Sequence, residues 1–174
     1  MYKSEKKIKE LEILLNKDSK TIITEAIDLL RNEQAFEGVV GLLTSVYDKS
    51  TDREIRKSIE LFMNDIKDLA VRPEVISEIK KPWKPDTISM LVASCWQSGL
   101  DYSENSQVFV NTFLNGDYVT AIECLTVISE SAQNISRVEK DIMINTIRDN
   151  PFMNSDEKSV LTHELLTVLE NPGY

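Results

Sequence analysis

Apolar residues recur at spacings of three and four along almost the whole chain, and this periodicity constrains the fold more than any other feature. Such spacing gives a helix one apolar stripe, whereas a half-buried strand alternates apolar and polar residues. No segment alternates like a strand, so we expect an all-α protein. The stripes predict ten helices, over residues 4–16, 19–31, 35–48, 52–68, a short helix after Pro73, then 86–99, 103–114, 117–131, 135–149 and 155–170.

Signals for helix starts agree with these breaks, because several polar pairs have the spacing of a capping box. The pairs are Thr51 with Glu54, Ser136 with Glu139 and, more weakly, Asn154 with Glu157. Short connections then join the helices into five antiparallel hairpins. These hairpins span residues 4–31, 35–68, 73–99, 103–131 and 135–170. Units of roughly 30 to 37 residues fall in the range of helical-repeat families.

The hairpin over residues 35–68 resembles a HEAT repeat, a family whose second helix commonly begins with an aspartate-rich turn and an aliphatic residue followed by arginine. Ile55-Arg56 match that pair, and Asp48 or Asp52 lies near the turn. The resemblance implies a right-handed α-α superhelix, a HEAT-like solenoid of about five hairpins. It also implies a scaffold that binds proteins or peptides, with the second helices lining a concave surface.

The length of 174 residues fits a single helical-repeat domain over residues 1–174, with a core that needs neither disulfide nor metal. The N-terminal residues lack the uninterrupted apolar stretch of a secretory signal, and we expect a cytoplasmic protein with no membrane segment. Cys95 and Cys124 have apolar neighbours and no metal-ligand spacing. We interpret them as buried free thiols.

Charge is distributed unevenly along the chain, whose formal net charge is −9. Residues 1–87 carry 16 basic and 17 acidic side chains, while residues 88–174 carry 4 and 12. No lysine or arginine lies between Lys84 and Arg137. Because phosphate backbones are bound mainly through such cations, we expect no nucleic-acid partner for this half. It should instead attract a protein with a basic surface, although acidity can also serve solubility alone.

Residues that could support catalysis are scarce. The histidine of the chain, His163, is followed by Glu164, but Thr167 stands where a second zinc-binding histidine would be. We expect His163 at the surface or near a helix cap. No glycine-rich phosphate loop and no nucleophile motif is present. We therefore predict no enzymatic activity, no cofactor and no metal.

Two segments supply candidate partner-binding residues. Trp83 lies between Pro82 and Pro85, and it either fills a gap between hairpins or stands out as an interface anchor. We expect the other tryptophan, Trp96, in the core.

The second segment is the predicted helix 117–131. Its solvent stripe would hold Thr120, Glu123, Val127 and Glu130, which places an aliphatic side chain between carboxylates. Such an arrangement suits a partner that carries lysine or arginine beside an apolar side chain. The candidate contact residues are Trp83, Asp117, Glu123, Val127 and Glu130.

The function predicted from sequence is therefore a non-enzymatic protein-interaction scaffold or adaptor with a basic partner. A structural domain of a larger assembly, including a homo-oligomer, is the main alternative. An enzyme on a HEAT-like scaffold is the weakest, because the DNA-repair glycosylases built this way need a basic groove.

Overall fold

The structure is a computed structural model that describes residues 2–32, 35–150 and 157–171. Every regular element within those ranges is a helix, which confirms the all-α prediction. The α-helices are α1 (Tyr2–Leu15), α2 (Lys20–Leu30), α3 (Val39–Lys49), α4 (Arg53–Asp65), α5 (Arg72–Ile79), α6 (Pro85–Gln97), α7 (Ser106–Asn115), α8 (Tyr118–Ser131), α9 (Arg137–Arg148) and α10 (Ser159–Glu170). Short 3-10 turns at Leu69–Val71 and Ser103–Asn105 precede α5 and α7.

Three helix borders differ from the prediction by three or four residues, for local backbone reasons. Helix α7 begins at Ser106, because residues Ser103–Asn105 form a 3-10 turn. The third helix begins at Val39, because Gly38 adopts a left-handed conformation with a φ of 90°. The fourth helix ends at Asp65, since Ile66 is extended with a ψ of 123°. The predicted start of the last helix, at residue 155, lies outside the described residues, as does Asn154 of the predicted pair of Asn154 with Glu157.

The capping predictions had mixed outcomes. Ser136 and Glu139 form a capping box at the start of α9, as predicted. The pair of Thr51 with Glu54 was wrong, because Asp52 is the N-cap of α4. Its carboxylate accepts hydrogen bonds from the Glu54 amide at 2.8 Å and from the Ile55 amide at 3.1 Å. A short aspartate outcompetes a threonine one residue earlier, because its carboxylate also stabilises the positive end of the helix dipole.

The chain divides into two compact units, Met1–Ser98 with α1 to α6 and Gly99–Tyr174 with α7 to α10. All five predicted hairpins are present as contacting helix pairs inside these units. A single domain over residues 1–174 stays a prediction.

Helices of the first unit lie in two rows. A first-helix row is formed by contacts of α3 with α1 and α5, and a second-helix row by contacts of α4 with α2 and α6. The largest fully buried side chains of this unit are Ile27, Leu43, Ile59, Met63 and Leu91.

Side-chain pairs join neighbouring helices at both ends of the second-helix row. The pairs are Lys20 with Glu54, Arg56 with Asp86, Arg31 with Asp65 and Asn64 with Gln97. Most of the charged side chains are well exposed, so the three ion pairs contribute little to stability. Their spacing of about 30 to 34 residues links each second helix to the next one at the same height.

Asp48, a residue singled out by the HEAT-like pattern, connects the second hairpin to the third. Its carboxylate accepts hydrogen bonds from the Lys84 amide at 3.0 Å and the Thr87 hydroxyl at 2.8 Å. Lys84 is the N-cap residue of α6, but its own side chain forms no capping hydrogen bond with α6. Asp48 therefore caps α6 from another hairpin. The Arg56 guanidinium lies 4.1 Å from the ring centroid of Tyr47 beside this junction.

Glu74 of α5 performs a similar task for α3. The Glu74 carboxylate accepts hydrogen bonds from the Gly38 amide at 3.2 Å and the Gly41 amide at 2.9 Å. The first amides of a helix lack intrahelical partners. A carboxylate supplied by the next hairpin satisfies two of them and places negative charge at the positive end of the α3 dipole.

The second unit repeats the two-row arrangement with four helices. Contacts join α7 with α8, α9 with α10, α7 with α9, and α8 with α10. The largest fully buried side chains here are Phe109, Phe113, Ile128, Met143, Ile147, Leu165 and Leu169. The Lys158 ammonium, just before α10, donates to the carbonyl oxygens of Phe113, Leu114 and Gly116 at 3.0, 3.2 and 2.6 Å. It thus ties the start of α10 to the turn between α7 and α8.

Candidate functional site

Helix α8 carries most of the residues predicted to contact a partner, and its first turn is set by Asp117. The Asp117 carboxylate accepts a hydrogen bond from the Thr120 amide at 2.8 Å. Hydrogen bonding from Thr120, together with the charge of Lys158, holds the pKa of Asp117 below its ordinary value although burial opposes it. Asp117 is therefore an ionised helix cap, and its exposed edge adds negative charge at the start of α8.

The solvent stripe predicted for α8 was wrong at two positions. Val127 is 2% exposed and Thr120 is 1% exposed, so neither side chain is available to a partner. The reason is that α8 packs against both α7 and α10, which makes its buried arc wider than the stripe facing a single neighbour. Ile122 is 39% exposed.

The surface that α8 does present combines apolar and acidic side chains. Tyr118 is 42% exposed and Val119 is 55% exposed, and both lie within one turn of Ile122. Glu130 is exposed and Glu123 is half-buried. We name these five residues the α8 outer surface. An aliphatic side chain between carboxylates was predicted for α8, and the structure places that feature at Val119 and Ile122 rather than at Val127.

The start of α10 adds an exposed aliphatic side chain at the same end of the unit. Val160 is 75% exposed and lies two residues after Lys158, which is bonded to the turn that precedes α8. The beginnings of α8 and α10 therefore lie close together.

Helix α9 carries a second exposed apolar pair. Val138 is 70% exposed and Ile142 is 52% exposed. Arg137 precedes this pair and forms an ion pair with Asp141 at 2.9 Å. The α9 surface thus has apolar side chains like those of α8, but with cations among them.

Trp83 is half-buried and held inside the first unit. Its indole N–H donates to the Glu78 carboxylate at 3.2 Å, and the Lys81 ammonium lies 6.0 Å from its ring centroid. Glu78 is itself buried, and Lys81 donates to it at 2.6 Å. These contacts fit the interpretation that Trp83 fills a gap. Part of its ring is exposed, and its role as an interface anchor stays a prediction. Trp96, expected in the core, is 38% exposed, so that expectation was wrong.

A cleft of about 350 Å³ lies in the first unit at the C-terminal ends of α2 and α4. Its lining includes the apolar side chains of Phe62 and Ile66 and the ion pair of Arg31 with Asp65. The remaining lining residues are Leu30, Ala35, Lys67 and Asp68. Sequence reasoning missed this cleft, because its walls come from segments about 30 residues apart that carry no shared motif.

Histidine, cysteine and carboxylate side chains are the groups of this chain that could bind a metal ion. In the described ranges, no group of three or more of these side chains is placed to hold one. Cys95 and Cys124 are buried and form no disulfide, as predicted, and His163 is exposed, as predicted. None of the helices in the described part of the chain has both the length and the apolar character needed to cross a membrane.

The chain matches no protein-family model, no curated protein and no solved structure. The function of the α8 outer surface must therefore be argued from its own chemistry.

Proposed function

We propose that this protein is a non-enzymatic interaction module of the helical-repeat kind, and that its Gly99–Tyr174 unit binds a basic protein surface. The observation that carries the proposal is the coincidence of exposed aliphatic side chains with two glutamates on α8, in a unit of strong net negative charge. An interface of this composition buries apolar area while its charges select the partner.

The charge of the second unit supports this choice of partner. Residues 88–98 carry no charged side chain, so the 4 basic and 12 acidic residues that follow residue 87 all belong to Gly99–Tyr174. A surface of this kind raises the encounter rate with a cationic protein and makes binding sensitive to salt. Anionic partners such as nucleic acid are repelled by the same field.

Packing within each unit supports the helical-repeat architecture. Second helices contact second helices and first helices contact first helices, as expected for stacked hairpins. In the first unit, Asp48 and Arg56, which carry the HEAT-like resemblance, both bond to the following hairpin. We infer that each unit is a short solenoid stack in which such residues set the register between repeats.

Self-association is a second candidate, favoured by an apolar edge in the first unit. Leu29 is 67% exposed and Ile22 is 39% exposed, seven residues apart on α2. A stack of repeats needs a polar outer face on its terminal hairpin to remain monomeric. Sedimentation equilibrium over a wide concentration range tests this alternative, because a constant monomer mass would eliminate it.

Affinity purification from the native cell at graded salt tests the main proposal. We expect the full chain to retain basic proteins that elute as NaCl is raised from about 0.1 to 0.5 M. Two variants with equal charge change provide the comparison. One carries Glu104→Gln, Glu130→Gln and Glu164→Gln in the second unit, and the other carries Glu12→Gln, Glu25→Gln and Asp28→Asn in the first.

Retention should fall for the second-unit variant and persist for the first-unit variant. Equal losses for the two variants would show that net charge alone drives binding. Retained proteins without an excess of lysine and arginine would contradict the proposal directly.

A further inference from the structure

We infer that the α8 outer surface docks a cationic amphipathic helix, whose aliphatic side chains cover Val119 and Ile122 and whose lysine or arginine side chains pair with Glu123 and Glu130. This inference rests on the proposed function and adds to it the surface and the class of partner segment.

The apolar part of the surface is exposed on a rigid support. Tyr118, Val119 and Ile122 are each at least 39% exposed, whereas Cys124 and Ile128 on the opposite side of α8 are at most 1% exposed. Because the buried side fixes the helix between α7 and α10, the exposed side chains lie on a preformed platform. A preformed site loses little conformational entropy when a partner binds.

The acidic part of the surface selects the charge of the occupant. Helix α8 contains two glutamates and no lysine or arginine, and the chain has no cation from residue 85 to residue 136. An apolar segment flanked by lysine or arginine therefore meets the carboxylates of Glu123 and Glu130 on α8. A segment flanked by carboxylates meets like charge and is rejected.

The α9 surface shows why apolar exposure alone does not decide the site. Val138 is 70% and Ile142 is 52% exposed, comparable to Val119 at 55% and Ile122 at 39%. Helix α9, however, carries three basic and two acidic residues, whereas the charged residues of α8 are two glutamates. A cationic partner gains less there, although the exposed apolar area is similar. The pair of Val138 and Ile142 is therefore a matched internal control.

Spacing on α8 indicates a helical occupant. Glu123 and Glu130 are seven residues apart, which places them two turns and about 10 Å apart along the axis. Two basic residues seven positions apart on a partner helix have the same separation. Val119 and Ile122, three residues apart, match the three- and four-residue spacing of an amphipathic stripe.

A synthetic peptide tests the inference with the full chain. The probe is an 18-residue leucine, lysine and alanine peptide with leucine at three- and four-residue spacing and lysines seven residues apart on both flanks. A scrambled peptide of equal composition has the same charge but no apolar stripe. Fluorescence anisotropy at low salt measures both affinities, and we expect at least tenfold tighter binding of the amphipathic peptide.

Variants then locate the contact. Val119→Ser with Ile122→Ser should weaken binding about tenfold, as expected when central apolar contacts of an interface are truncated. Glu123→Gln with Glu130→Gln should weaken binding and flatten its salt dependence, because two cation partners are lost. Val138→Ser with Ile142→Ser should change the affinity less than twofold. All six substitutions lie on exposed or half-buried positions, and circular dichroism checks that the helices remain.

Three results would overturn the inference. These are failure of the wild-type chain to bind the amphipathic peptide, equal affinity for the scrambled peptide, and a loss in the α9 variant as large as in the α8 variant. Each can occur while basic cellular proteins are still retained in a salt-sensitive way. In that case the proposed function stands and the docking surface assigned to α8 is wrong.

Discussion

Replacing Asp48 by alanine should destabilise the first unit, because this carboxylate joins the second hairpin to the third. The Asp48 side chain is 17% exposed and accepts hydrogen bonds from the Lys84 amide and the Thr87 hydroxyl. Alanine leaves the start of α6 without this acceptor and leaves the Thr87 hydroxyl, which is fully buried, without its partner. The substitution creates no steric clash, so the loss reports the hydrogen bonds themselves.

The expected cost follows from these contacts. Loss of an N-cap side chain costs about 0.5–2 kcal/mol, and an unsatisfied buried hydroxyl costs about 1–3 kcal/mol. The two costs are not fully additive, because both include the loss of the same Asp48 acceptor. Water also reaches part of the junction and can replace some of the lost hydrogen bonding. We therefore expect a total of about 2 kcal/mol. The Lys84 ammonium, 3.9 Å from the carboxylate and largely exposed, adds little.

Tryptophan fluorescence in urea measures this loss in the correct unit, because Trp83 and Trp96 are the two tryptophans of the chain and both lie in Met1–Ser98. A loss of about 2 kcal/mol lowers the unfolding midpoint by roughly 1 M urea. Glu25→Ala, at an exposed position of α2, is the control and should change stability by less than about 0.5 kcal/mol. A midpoint for Asp48→Ala equal to that of the control would refute the capping role.

The pH dependence of stability provides a second test of Asp48. Burial raises the pKa of the Asp48 carboxyl, but its hydrogen bonds from Lys84 and Thr87 and the charges of Lys84 and Arg56 lower it more, so the pKa lies below its ordinary value. The unfolded chain therefore takes up this proton first as the pH falls. The stabilisation by Asp48 is complete above about pH 5 and is lost as the pH falls through the folded pKa. The difference between wild type and Asp48→Ala should be constant from pH 7 to 5 and shrink below pH 4.

Other predictions concern single contacts. Lys158→Met removes the ammonium from the end of α7 and should cost about 2 kcal/mol, measured by far-ultraviolet circular dichroism in urea. Gly41→Ala places a Cβ atom 2.9 Å from the buried Glu78 carboxylate and should cost about 1–3 kcal/mol in the fluorescence assay, whereas a stable variant would show that Glu78 can move. Cys95 and Cys124 should react with Ellman's reagent only on unfolding, and rapid labelling of the native chain would contradict their burial.

Helix number and pairing could be predicted from the sequence because they depend on local signals. Apolar spacing, Pro73 and the pair of Ser136 with Glu139 act within a few residues, and the structure has helices beginning and ending close to these positions. Burial of individual side chains depends on which neighbours a helix has. Helix α9 has apolar residues on more than one arc, and contacts with α7 and α10 bury Met143 and Ile147 while leaving Val138 exposed.

The same reason explains why the candidate site was located only to the helix. The composition of α8 indicated carboxylates beside an aliphatic side chain, and the structure has this feature on its outer surface. Which of Val119 and Val127 is exposed depends on the sides of α8 against which α7 and α10 pack. No local sequence pattern contains that information. The cleft beside Arg31 and Asp65 was missed because it forms only where the ends of two helices, distant in sequence, come together. No local sequence pattern marks such a meeting point.

The division into two units gives the charge asymmetry a structural meaning. Eleven residues without charge, 88–98, close the first unit, and the excess of eight negative charges begins after them. Negative charge on one unit raises its own repulsion, whereas the near-neutral first unit avoids this cost. Solubility alone does not require this segregation. The same negative charge spread over both units would keep copies of the protein apart equally well, with less repulsion inside either unit. Concentration of the charge in the unit that also exposes Val119 and Ile122 is expected if that unit recognises a cationic partner.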